Sequence, residues 1–158
     1  DFFASPFHKD RYEWILDSGL GVNKIASSML EWDLDFCQEM VNNTDLLTYC
    51  SLGKWDKEEF PFENENVKYM HCVAKYPHSL EEAIELMPKK FDNPLTGYSD
   101  HSIGIEACKE AVRRGAKVLE KHYTLSHSLQ CKTESAHVCS MIKEELVELR
   151  KYCDEVSK

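Results

Sequence analysis

Leu95-Thr96-Gly97-Tyr98-Ser99-Asp100-His101 and Lys117-Val118-Leu119-Glu120-Lys121-His122-Tyr123-Thr124, with the stretch 105–114 between them, decide how this chain is read. The spacing predicts a short strand at 95–98, an amphipathic helix from Ile105 to Arg114 ended by Gly115, and another strand at 117–121. A strand–helix–strand crossover implies parallel neighbours. Each strand closes in a polar tail carrying one histidine, and imidazoles at successive strand ends can converge on one divalent metal. A lone histidine at a strand end is more often a hydrogen-bonded structural residue, and it is the pairing that raises the metal reading. Imidazole suits Mn, Zn, Fe or Co, and Asp100 is placed to orient a ring from outside the coordination shell.

The same alternation extends outward. Strands are predicted at 2–5, 22–26, 46–50 and 67–73, and helices at 10–18, 33–41 and 79–87, the last opened by a Ser79/Glu82 capping box. A final helix, capped by Ser140, runs to Val156 with Ile142, Leu146, Leu149 and Cys153 on its buried stripe. Six strands separated by helices make an α/β chain with a parallel sheet, doubly wound or barrel-like. Polar residues gather at the strand ends: Ser5, Ser27, Ser51, Lys75, Tyr76, Ser99, His101 and His122. That distribution favours a barrel whose βα loops build one active face, and no Gly-x-Gly-x-x-Gly occurs. A closed barrel takes eight strands, so two are expected ahead of these six.

The 158 residues suit one domain, with 42% hydrophobic and 30% charged residues. A net charge of -9 without a basic stripe argues against nucleic acid as a partner. No apolar run approaches the roughly 20 residues of a membrane span, and no signal peptide opens the chain. The seven cysteines form no Cys-x-x-Cys pair, and several lie in apolar runs, so the expectation is a reducing cytoplasm rather than disulfides or structural zinc. The missing initial Met leads to the expectation of a fragment or processed product.

Lys24-Ile25-Ala26-Ser27, Ser51 and Ser99 form a second constellation. A cation with hydroxyls and turn N–H groups at one barrel mouth holds a phosphate or carboxylate. The plainer alternative has Lys24 extending to solvent and Ser27 capping the next helix. His8, His78 and His127 read as solvated loop residues, His71 as a satisfied core histidine, and the runs 56–59 and 144–145 as solvated acidic faces.

Four blocks in order, Lys24-Ile25-Ala26-Ser27, His71-Cys72-Val73-Ala74-Lys75-Tyr76-Pro77, the run from Gly97 to Ala107 (GYSDHSIGIEA), and Glu120-Lys121-His122-Tyr123-Thr124-Leu125, resemble the N-acetylneuraminate (sialic acid) synthase family over nearly the whole chain. The resemblance implies a (β/α)8 TIM-type barrel, of which residues 1–158 look like βα units three to eight. It implies a cytoplasmic transferase condensing phosphoenolpyruvate with the open-chain aldehyde of N-acetylmannosamine or a related acylated amino sugar, giving a nine-carbon 2-keto acid and phosphate. By the same resemblance His101 and His122 bind the divalent metal, most often Mn, with Mg or Co as alternatives. Lys24, Ser27, Ser51, Ser99 and Ser5 hold phosphoenolpyruvate, while Tyr76 and Asp100 lie on the sugar side. The full-length family form is a homodimer. The family's catalytic glutamate and a further lysine belong to the first two strands, which are missing here, as is the C-terminal antifreeze-like domain. Ala74 replaces the usual Ser or Asn, and Ala136 replaces a sugar-contacting acid, with Glu134 as a substitute and His137 retained. The contrasting expectation is a diverged, non-catalytic metal- or phosphate-binding barrel fragment.

Overall fold

The computed structural model describes residues 3–130 and 138–156. In order these form α1 (Lys9–Asp17), β1 (Val22–Ile25), α2 (Met29–Trp32), α3 (Leu34–Asn42), β2 (Leu47–Ser51), β3 (Val67–Cys72), α4 (Leu80–Leu86), β4 (Leu95–Asp100), α5 (Glu106–Arg113), β5 (Val118–Lys121), a 3-10 turn (His127–Leu129) and α6 (Lys143–Val156). The strands follow chain order, β1-β2-β3-β4-β5. The chain divides into two compact units, Asp1–Met70 and His71–Lys158. No helix among the described residues is long and apolar enough to cross a membrane.

In the first unit β1 and β2 pair in parallel, Lys24 opposite Tyr49 and Ile25 opposite Cys50, and β2 continues onto β3 with Cys50 opposite Tyr69. Side chains alternate faces along a strand. Ile25, Cys50 and Tyr69 therefore share one face, and all three are buried, as are Phe36, Cys37, Met40 and Val41 of α3. Helix α3 starts where Asp33 accepts a hydrogen bond from the Phe36 amide at 3.0 Å. Asp33→Ala removes that N-cap and is expected to cost about 1 kcal/mol, read as a lower urea midpoint at unchanged slope.

The predicted first strand does not form among the described residues 3–5. Phe3 packs its ring 5.9 Å from Tyr49, and Pro6, lacking an N–H, ends the run. Five strands are therefore described where six were expected.

The second unit is built around Ala83, Met87, Phe91, Tyr98, Ala107, Cys108, Ala111 and Leu149. Ser79 caps α4 as predicted, accepting from the Glu82 amide at 3.1 Å. The other half of the capping box is made as well, the Glu82 carboxylate accepting from the Ser79 backbone N–H while it also pairs with Lys75. At the far end of α4, Arg114 donates to the carbonyls of Met87 and Pro88, satisfying acceptors that a helix end leaves open. Gly115 has φ +100, and a Cβ there would lie 3.1 Å from the Phe91 carbonyl oxygen, so glycine is required at that turn. β4 pairs in parallel with β5, Ser99 opposite Glu120 and Asp100 opposite Lys121. The last helix begins at Lys143, two residues later than a Ser140 cap would start it, with the Glu145 carboxylate accepting from the Ile142 amide at 2.8 Å while Ser140 is buried. Glu145 is thus a cap rather than part of a solvated face, and of the predicted stripe Leu149 is buried while Leu146 is 41% exposed.

Candidate functional site

In the first unit, β1 and β2 bring Lys24 and Ser51 onto one face. Lys24 Nζ donates to Ser51 Oγ at 2.9 Å and to the Ile25 carbonyl at 3.1 Å. Lys24 is 3% exposed and Ser51 2%, so the ammonium does not reach out to solvent. Burial pushes the adjacent Cys50 thiol up to about 12 despite the opposing field of Lys24, leaving it protonated. Ser5 and Ser27 are half-buried. The N-cap residue of α2 is Ser28, so Ser27 does not take the capping role.

In the second unit, His101 follows β4 and His122 follows β5, and their ring centroids are 5.5 Å apart at 74°. Tyr76 lies against both, 4.0 Å from His101 and 6.0 Å from His122. His101 Nδ1 sits 3.0 Å from the Val73 carbonyl, which assigns the proton to Nδ1 and the lone pair to Nε2. Cys72 Sγ approaches the same nitrogen at 3.8 Å. Burial, reinforced by His122 and opposed by the Val73 bond, lowers His101 to about 4, so the ring is neutral near pH 7. Burial, with the fields of Cys72, Glu120 and Cys139, raises Tyr76 to about 12, so its hydroxyl keeps its proton.

Ser99 is buried and donates to Glu120 Oε1 at 3.0 Å. The sequence reading passed over Glu120. Its position two residues before His122, hence on the same strand face, was the available signal. Asp100 departs from its expected place on the sugar side. Its fully buried carboxylate accepts from Tyr98 at 3.1 Å, the Ser102 amide at 3.0 Å, Cys108 at 3.5 Å and Lys121 at 2.5 Å. Desolvation opposes ionisation there, and Lys121 with the surrounding donors outweighs it, holding Asp100 below its ordinary value. Asp100 thus sits on the face turned away from His101 and anchors β4 to β5. His78 also departs from expectation, being 4% exposed instead of solvated. Ala136, Glu134 and His137 lie outside the described residues. Among the described residues no set of three or more His, Cys, Asp or Glu side chains converges for a metal, so they offer an ion two imidazoles here.

A family model described as the NeuB family matches residues 1–158. The chain is 35% identical over 156 residues to the N-acetylneuraminate-9-phosphate synthase of Drosophila melanogaster, covering 92% of this chain and 41% of that protein. It is 28% identical to the N,N'-diacetyllegionaminic acid synthase of Legionella pneumophila, over 94% of this chain and 45% of that one. The crystal structure of a sialic acid synthetase from Leptospira borgpetersenii in complex with citrate superposes with TM-score 0.79 at 28% identity, covering 98% of this chain and 56% of that one. The fold is therefore that of part of a TIM-type barrel, and the chain spans less than half the length of these two curated relatives.

Proposed function

Because the chain belongs to the NeuB family, we propose that it is part of the catalytic barrel of a sialic-acid-type synthase that condenses phosphoenolpyruvate with an acylated amino sugar. The observation that carries this reading is the His101–His122 pair, two rings 5.5 Å apart with the His101 proton committed to Val73. The neutral His101 ring, with Nδ1 committed to Val73, beside the His122 imidazole suits a divalent metal, with Mn the family's usual ion, and water and substrate oxygen would fill the remaining positions. When bound, such an ion supplies Lewis-acid polarisation of the aldehyde oxygen.

In the reaction, the methylene carbon of phosphoenolpyruvate forms a bond to the aldehyde carbon, and water oxygen adds at C2. The resulting tetrahedral centre expels phosphate by C–O cleavage. The chain's own residues bind and orient for these steps. Lys24, already dehydrated and tied to Ser51, would hold an anionic group of phosphoenolpyruvate without reorganising, and Ser5 and Ser27 would add hydroxyls. The protonated Tyr76 hydroxyl serves as a donor to the sugar.

Lys24→Met tests the anion cradle. Losing a charge-assisted hydrogen bond of about 1.5–3 kcal/mol corresponds to roughly 10- to 100-fold weaker phosphoenolpyruvate binding by calorimetry. Unchanged affinity would remove Lys24 from the site. With Mn present, phosphate release is expected only when phosphoenolpyruvate and an acylated amino sugar are supplied together. Release from phosphoenolpyruvate alone would point to a phosphatase.

A further inference from the structure

His101 and His122 each lie one residue past the end of a strand. β4 ends at Asp100 and β5 at Lys121, and the last register pair between them is Asp100 opposite Lys121. The ladder therefore stops just short of both histidines and does not itself fix their rings. Two side chains that share one ion must nevertheless be held to within about 0.5 Å of the productive geometry.

A buried ammonium crosses that gap. Lys121 Nζ donates to Asp100 Oδ2 at 2.5 Å and to the Ser102 carbonyl at 2.7 Å, and these are the residues on either side of His101. Asp100 Oδ1 accepts from the Ser102 amide at 3.0 Å, which closes an Asx-type turn around His101. Lys121 itself immediately precedes His122. The chain neighbour of one imidazole thus grips both chain neighbours of the other. Tyr98 and Cys108 hold the carboxylate from the same side. The main chain is tied down too: the His101 carbonyl accepts from the His78 amide at 3.4 Å, and the His122 carbonyl from the Met141 amide at 2.8 Å. Because side chains alternate faces, this clamp lies behind the sheet, while the two rings project forward against Tyr76. The Lys121 and Asp100 side chains are 1% and 0% exposed, so salt and water screen the clamp little.

We propose that Lys121 and Asp100 are positioning residues for the metal pair, holding the two imidazoles at chelating spacing before a divalent ion arrives and so setting the affinity for it. Neither residue touches the ion; both act through the main chain of His101 and His122. This role presupposes the shared ion of the proposed function.

The test is a Mn2+ titration, followed by loss of the free-ion EPR signal, with thermal melts alongside. Asp100→Leu/Lys121→Met leaves no orphaned buried charge, so it should melt close to wild type. It should nevertheless bind Mn2+ at least about tenfold more weakly, in the range that loss of a ligand's outer partners produces. Leu149→Ala, a cavity in the buried core of the same unit, should melt lower and bind within about twofold of wild type. Wild-type affinity in the double variant overturns the proposal and leaves the pair a purely structural anchor. So does a comparable loss in Leu149→Ala, which would show that affinity merely follows stability. Absence of Mn2+ binding by the wild type is a different failure, since it removes the shared ion and the clamp's role with it. If the double variant melts below the assay temperature, wild-type crystals grown with and without MnCl2 decide. Rings superposing within about 0.5 Å support the pre-set spacing, and rings that move apart without the ion overturn it.

Discussion

Lys121→Met should destabilise the protein by about 3–5 kcal/mol, the usual cost of removing one partner from a buried ion pair. The Lys121 side chain is 1% exposed and that of Asp100 0%, with Nζ 2.5 Å from Oδ2, and Nζ also reaches the Ser102 carbonyl at 2.7 Å. Methionine preserves the stem but leaves the carboxylate dehydrated with only Tyr98, Ser102 and Cys108 as donors. Replacing both partners with apolar residues, Asp100→Leu with Lys121→Met, should come closer to wild type than either single change, because no orphaned charge remains. The pair also sets a pH dependence. The folded Asp100 carboxyl lies below its ordinary value, so its contribution is full above that value and is lost as pH falls through it towards the folded one. Urea midpoints between pH 7 and pH 3 should converge for wild type and Lys121→Met. Equal midpoints at pH 7 would show the pair to be energetically idle.

His101→Ala should weaken Mn2+ binding by more than about 100-fold, since loss of a mere outer partner of a ligand already costs 10–100-fold. His122→Ala should do the same, and the two together should add little once the ion is gone. Circular dichroism melts separate this from unfolding, because the alanine at 101 also removes the ring's bond to the Val73 carbonyl. A decrease of only a few-fold in both variants would favour the structural reading of these histidines. It would also favour the diverged binding fragment over the enzyme.

What the sequence made legible was local or periodic. The polar tails of β4 and β5 announced a histidine at each strand end, and the rings do meet. The Ser79 cap and the α5 stop at Gly115 follow from spacing alone, whereas the face shared by Lys24 and Ser51 rests on the register of β1 on β2. What stayed hidden depends on partners distant in the chain. Asp100 looked like a site residue because it precedes His101. The one-residue step puts it on the opposite face, where the register of β4 on β5 delivers Lys121. Glu120 acquires meaning only when the same register sets it beside Ser99. His78 read as a loop residue, since nothing local shows that the loop folds back onto Ser102. The run before Pro6 carried strand-like residues, but an apolar run becomes a strand only where a neighbour pairs with it.

The most direct measurement is Mn-edge anomalous diffraction from crystals grown with MnCl2. One peak within bonding distance of Nε2 of both His101 and His122 is predicted. An ion that touches only one of these rings, or none bound there at saturating Mn2+, would contradict the shared-metal account.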